Sequence, residues 1–277
     1  MIFVIIYAYR DMELDKTIKD CFAKADKPEE VAIGCINADD TPYIYDGEYD
    51  VRVINDGWEH RHGCGFGVWE ITKKLYKGEE WVLRAAPHSR FKKGWDAHYL
   101  KYAEKDTVLC SRCLEYLPDG TLTPDEGIYS KPVKFSKEIV VALQKCPMPS
   151  RKNFEVNFMQ AGGMFCHKTW MKDVGYDPYV AMWGEETDLS MRTYCSGYKM
   201  IHLGEPQVYH LWHRRNRKGI DASYSFVTAN AIGVERVKMK LGLRKLNNEN
   251  VSISWDRYGF DGHEYKELLE KEFNKGA

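Results

Sequence analysis

The sequence lacks any apolar run long enough to span a bilayer, and it lacks a net charge of consequence. Its 40 Lys and Arg stand against 41 Asp and Glu, leaving −1 at pH 7. No global field therefore draws it to nucleic acid or to an acidic membrane surface. Binding of that kind would need a local patch, for which His213-Arg214-Arg215-Asn216-Arg217-Lys218 and the stretch from Arg236 to Lys245 are the candidates. The apolar opening, Met1 to Tyr7, has neither a basic leader nor a small-residue cleavage site, so it reads as a buried strand rather than a signal segment. A cytoplasmic location, no membrane partner and reduced thiols at all eight cysteines are the resulting expectations. Cys110-Ser111-Arg112-Cys113 has no second pair at zinc spacing and is expected to be structural. No Gly-x-Gly-x-x-Gly follows the first apolar segment, which argues against a dinucleotide-dependent oxidoreductase. Internal repeats and low-complexity tracts are also missing.

What remains is a chain of 277 residues with 44% hydrophobic and 29% charged residues, enough for one large α/β domain or two small ones. Residues 2–9 form a continuous apolar strand of the kind covered on both faces. Leu14, Ile18, Cys21, Phe22 and Ala25 then recur at helical spacing until Pro28, and Val31 to Ile36 reads as a second buried strand. This strand–helix–strand opening predicts a nucleotide-binding α/β sheet. A third strand is expected over 49–54, a helix containing Trp69, Ile71, Thr72 and Leu75, and a strand over 80–85. Further helices are expected over 95–104 and 187–195, and a strand over 208–212. Residues 118–135, rich in Pro, Gly, Asp and Thr, read as a surface loop, and 136–165 as a strand with irregular structure. The last forty residues carry helical periodicity.

Three segments carry chemistry. Ala86-Pro87-His88-Ser89-Arg90-Phe91 leaves the strand over 80–85 at its carboxyl end, where open α/β sheets bind ligands. Residues i and i+2 of an extended chain point to one side, so a carboxylate at 86 beside His88 would make a two-ligand metal motif; the position holds alanine. In Trp183-Gly184-Glu185-Glu186-Thr187-Asp188, three carboxylates fall within four positions at the start of a helix. Helix capping accounts for such acids, and so does a turn that aims Glu185 or Glu186 at sugar hydroxyls. In Val208-Tyr209-His210-Leu211-Trp212-His213, alternation lets only one histidine face an ion, and neutral imidazole suits manganese. Arg214 and Arg215 are suited to phosphate contacts or to a solvated charge run.

Together these segments resemble the GlcNAc-type glycosyltransferases, a family that includes the cytosolic enzyme acting on hydroxyproline. The marks run in order: Tyr9-Arg10-Asp11, Thr17 to Phe22, Ala25-Asp26, Gly78-Glu79-Glu80, His88-Ser89-Arg90-Phe91, Gly94-Trp95-Asp96, Ala161-Gly162-Gly163, Tyr176-Asp177-Pro178, Gly184-Glu185-Glu186 and Tyr209-His210. The resemblance spans about residues 2 to 215. It implies a GT-A fold, a mainly parallel mixed α/β sheet with helices on both faces, expected over 1–220; the helical periodicity of the tail makes 221–277 the expected extension, mainly helical and packed on it. It also implies a UDP-sugar donor, a manganese or magnesium ion, and retention of anomeric configuration.

By resemblance, His88 and His210 are the metal ligands and Ala86 stands where the motif's aspartate belongs. Tyr9, Arg10, Asp11, Arg61, Arg84, Ala86, Arg90, Trp183 and Arg214 are the expected donor-binding residues. Glu185, Glu186 and Asp188 form the catalytic acidic group, positioning sugar and acceptor in a front-face reaction or, in a double displacement, supplying a nucleophile. Two departures stand out. Loss of a carboxylate at Ala86 is expected to impair the metal site. Val68 replaces an arginine usual in the family, so the sugar need not be GlcNAc. The acceptor is expected to be a macromolecular hydroxyl, on protein or on a hydroxymethylated DNA base. A non-catalytic nucleotide-sugar or glycan binder of the same fold is the rival expectation.

Overall fold

The computed structural model describes residues 1–57, 63–134, 142–182, 184–212 and 233–241. The chain opens with β1 (Ile2–Tyr9), α1 (Leu14–Lys24), β2 (Val31–Ala38) and β3 (Asp50–Asp56). It continues through α2 (Cys64–Lys74), β4 (Trp81–Ala85), β5 (Ser89–Phe91), α3 (Trp95–Tyr102), β6 (Thr107–Cys110) and β7 (Leu114–Glu115). Then come β8 (Ile128–Lys134), β9 (Ala142–Pro147), β10 (Phe154–Glu155), β11 (Phe165–His167) and α4 (Lys168–Asp173). Last are α5 (Glu185–Cys195), β12 (Lys199–His202) and β13 (Val208–His210), with residues 233–240 forming a further helix, α6.

The main sheet has eight strands in the order β10-β12-β6-β11-β4-β1-β2-β3. β3, β2, β1 and β4 run parallel, β11 lies antiparallel between β4 and β6, and β12 is parallel to β6. β1 alternates its side chains between two cores, as a strand covered on both faces must. Ile2, Val4, Ile6 and Ala8 pack with Leu14, Ile18 and Phe22 of α1 and with Trp95 and Tyr99 of α3. Phe3 and Ile5 pack on the other face with Val68 and Ile71 of α2, Trp170 of α4 and Leu189 of α5. The two layers of helices follow from that alternation.

The predicted strand–helix–strand opening stands, with boundaries moved by one or two residues. Three expectations change. Residues 118–135 are not all loop, because β8 pairs antiparallel with β9 in a separate hairpin, bulged between Pro132 and Lys134. A proline without an N–H sits in a strand where pairing is already interrupted, which hid the strand in the sequence. The strand expected over 208–212 stops at His210 and joins a small sheet, β5-β13-β7, instead of the main one. The acidic helix begins at Glu185 rather than at Thr187, with Gly184 before it at φ 83°, a conformation that suits glycine. β6 and β12, four residues each, are too short for their periodicity to show. Of the C-terminal extension only 233–241 lies within the described residues.

Candidate active site

The small sheet builds the site. β5 follows the carboxyl end of β4, and β13 pairs with it so that His210 lies opposite Ser89. This register brings His88 and His210 together, with their Nε2 atoms 2.8 Å apart and the rings edge-to-face at a centroid distance of 4.4 Å. Two imidazoles coordinating one ion from adjacent positions at ~2.1 Å would have their nitrogens roughly 3 Å apart, so the spacing fits a shared cation. On the far side of the His88 ring, Nδ1 meets Asp11 Oδ2 at 2.9 Å. A carboxylate behind a ligating histidine is the arrangement that orients such a ring. Among the described residues no three His, Cys, Asp or Glu side chains form a group able to hold an ion by themselves. Ala86, half-buried at the carboxyl end of β4, offers no ligand. Trp212 packs against His210 with centroids 4.1 Å apart and ring planes tilted by 41°, and it leaves 43% of its surface exposed.

The acidic turn forms a second group. Glu185 is paired with Arg84, Oε1 to Nη1 at 3.0 Å, and Arg84 Nη2 also donates to Cys64 Sγ at 2.8 Å. Burial pushes the Glu185 carboxyl above its usual range, against the opposing pull of Arg84. Glu186 is half-buried, its pKa is raised by desolvation, and its Oε1 accepts from the Ala161 amide at 2.9 Å. The Ala161-Gly162-Gly163 segment is fixed from below, since Cys113 Sγ donates to the Gly162 carbonyl at 3.2 Å and Tyr99 Oη to the Gly163 carbonyl at 2.9 Å.

Asp188 does not share in this group. It is 1% exposed and its oxygens are committed to Arg192, at 2.8 Å, and to Lys240 of α6, at 2.5 Å. Lys240 and Arg236 also reach Asp177 Oδ2, each at 2.6 Å. Asp188 is therefore part of a buried ionic network that ties α6 to the base of α5. Sequence reading took Asp177 only as a family mark and Arg236 to Lys245 only as a basic patch, and it placed neither them nor Arg192 in an ionic network. The one available signal was the Asp188–Arg192 spacing on a helix.

The remaining expected donor residues are dispersed. Tyr9 ends β1 and packs partly on the second core. Arg10 has φ 43° and its guanidinium lies 3.6 Å from Asp40. Arg84 is held by Glu185 and Cys64, as described. Arg90 ties β5 to α1 through Glu13 and lies over the Tyr116 ring at 4.8 Å. Arg61, Trp183 and Arg214 fall outside the described residues. The Cys110 and Cys113 thiols are both pushed up to about 12 by burial, which suits buried structural thiols rather than metal or redox groups.

The large mixed sheet flanked by helices on both faces is the framework of the GT-A glycosyltransferases. The Glycosyltransferase (GlcNAc) family model matches residues 1–42 and 44–262, and the chain belongs to that family. No curated protein matches it in sequence. Among solved structures, GalNAc-T7 with UDP, GalNAc and Mn2+ superposes with a TM-score of 0.61 at 14% identity, over 86% of this chain and 47% of that one. TarS of S. aureus does so with a TM-score of 0.57 at 12% identity, over 98% of this chain and 42% of that one. A shorter form of TarS, residues 1–349 in complex with UDP, gives 0.54 at 15%, over 98% and 70%. The chain thus spans under half the length of the first two. Among the described residues no helix is long and apolar enough to cross a membrane.

Proposed function

We propose that this protein transfers a sugar from a UDP-sugar to an acceptor hydroxyl on a macromolecule, with a divalent cation held by His88 and His210. The observation that carries the reading is the 2.8 Å approach of two Nε2 atoms that lie 122 residues apart in sequence, at the strand ends where this sheet class binds nucleotides. When bound, a manganese-type ion would supply positive charge against the departing diphosphate. His88 and His210 hold that position, and Asp11 orients the first of them. Glu185, restrained by Arg84, and Glu186, restrained by the Ala161 amide, border the sugar side and orient hydroxyls. Each has its carboxylate already engaged, so positioning suits them better than nucleophilic attack. Asp188 is reassigned from catalysis to holding α5 in place.

Ala86 leaves the cation with one protein carboxylate fewer than the family motif provides, so metal affinity and turnover are low in this chain. It also favours a second reading, a protein that binds nucleotide-sugar without turning it over. The discriminating experiment measures UDP release from a panel of UDP-sugars with Mn2+, for this chain and for Ala86→Asp. Release from the Ala86→Asp form with a single sugar supports the transferase and identifies the donor. Metal-dependent UDP binding with no release by either form supports the binder. Absence of both refutes the proposed site.

A further inference from the structure

We infer that Asp11 is the positioning residue of the histidine pair, returning at one imidazole's remove the negative charge that Ala86 does not supply; this rests on the metal-site reading above. β1 and β4 are parallel neighbours with Ile6 opposite Ala85. Asp11 lies five residues beyond Ile6 while His88 lies three beyond Ala85, so the two chains leave the sheet out of step. Arg10 takes up the difference, with φ 43°, the only non-glycine residue with positive φ among the described residues. Its amide donates to the Ala38 carbonyl at 3.1 Å, which anchors the bend to the end of β2. Strained conformations of this kind persist where the surroundings over-determine them, and they gather at functional sites.

The bend delivers Asp11 with both oxygens engaged. Oδ1 accepts from the Glu13 amide at 3.1 Å and Oδ2 meets His88 Nδ1 at 2.9 Å. The contact is shielded, with 4% of the Asp11 side chain and 7% of the His88 side chain exposed. A carboxylate only accepts, so Nδ1 carries the proton and Nε2 turns its lone pair towards His210. Such a partner fixes the tautomer and raises the basicity of the ligating nitrogen. The backbone around His88 does not depend on Asp11. Thr17 Oγ1 donates to the Pro87 carbonyl at 2.8 Å and accepts from the Ser89 amide at 3.0 Å. Replacing Asp11 therefore frees the ring while the loop stays in place.

The test titrates Mn2+ into the full chain with UDP present, followed by electron paramagnetic resonance, for the native protein, Asp11→Asn and Asp11→Ala. The same series is repeated with Ala86→Asp. Asp11→Ala is expected to weaken Mn2+ binding by about 10- to 100-fold, with Asp11→Asn between the two, and the loss is smaller once Ala86→Asp has returned a carboxylate. A long-range 1H–15N spectrum of the metal-free native protein is expected to show His88 protonated at Nδ1, and Asp11→Asn to lose that preference. Mn2+ binding unchanged by Asp11→Ala, or a native His88 protonated at Nε2, overturns the inference while leaving the site standing. No Mn2+ binding by the native or the Ala86→Asp form overturns the site itself, and the inference with it. The tautomer measurement on the native protein decides the matter even if the Asp11 variants fail to fold.

Discussion

Lys240 lies between Asp177 and Asp188, at 2.6 Å and 2.5 Å, with 3% of its side chain exposed. Replacing it by methionine keeps the volume and removes the charge shared by two buried carboxylates. Taking one partner from a buried pair costs about 3–5 kcal/mol. Here the lower end applies, because Asp177 keeps Arg236 at 2.6 Å and Asp188 keeps Arg192 at 2.8 Å. A loss of about 3 kcal/mol corresponds to a fall in Tm of roughly 6–12 °C for a chain of this size. Burial alone would raise the Asp177 carboxyl, but Lys240 and Arg236 together hold it well below 3.8. The native network therefore persists into acid, and Lys240→Met is expected to lose stability at a higher pH than the native protein. Thermal unfolding by circular dichroism measures the first effect, and hydrogen exchange of residues 233–241 tests whether α6 detaches before the rest. A change in Tm below about 2 °C, the size expected of a solvent-exposed pair, with unchanged exchange in α6, would refute the reasoning.

Other consequences can be measured separately. Burial lowers the pKa of His202 from 6.5 to about 4, so it is folded in its neutral form. Its contribution is complete above pH 6.5 and is lost as the pH falls towards 4; His202→Gln should flatten the acid side of a stability–pH curve. A Cβ at Gly65 would lie 1.9 Å from the Val180 carbonyl oxygen, so Gly65→Ala should cost about 1–3 kcal/mol by overpacking. Gly57, with nothing within 4 Å, is the matched control, and denaturant unfolding compares the two. Glu186→Gln keeps an acceptor for the Ala161 amide and should retain donor binding, whereas Glu186→Ala should lose it; UDP-sugar calorimetry decides. Acceptor binding that falls steeply with salt would mark nucleic acid, since each neutralised phosphate releases counterions, and salt-insensitive binding would mark a protein hydroxyl.

The parallel half of the sheet was legible because β1 and β2 are continuous apolar strands and α1 shows a clean helical stripe. The histidine pair was legible only as two separate residues, each placed by resemblance to the family, since the pairing of β5 with β13 depends on contacts across the chain. Asp11 was visible as a family mark, expected by resemblance near the nucleotide, but its contact with His88 follows from the positive φ of Arg10, which nothing in a Tyr-Arg-Asp sequence announces. Asp188 misled for the opposite reason. Its spacing from Glu185 and Glu186 matched an acidic cluster, and it does neighbour Glu185 one turn along the helix, yet both of its oxygens are taken by Arg192 and Lys240. Arg84 and Arg90 likewise carry the charge a diphosphate would want, but Glu185 and Glu13 already occupy them.

The separation of His88 and His210 has a bearing on how the protein is made. During synthesis the main sheet's β1, β2, β3 and β4 can pair while much of the chain is still being translated. The second histidine is added 122 residues after the first. Until β13 has emerged and docked on β5, the growing polypeptide has His88 without the imidazole that it faces in the finished fold. On the reading proposed above, a fragment truncated before residue 208 would keep only one of the two cation-binding imidazoles.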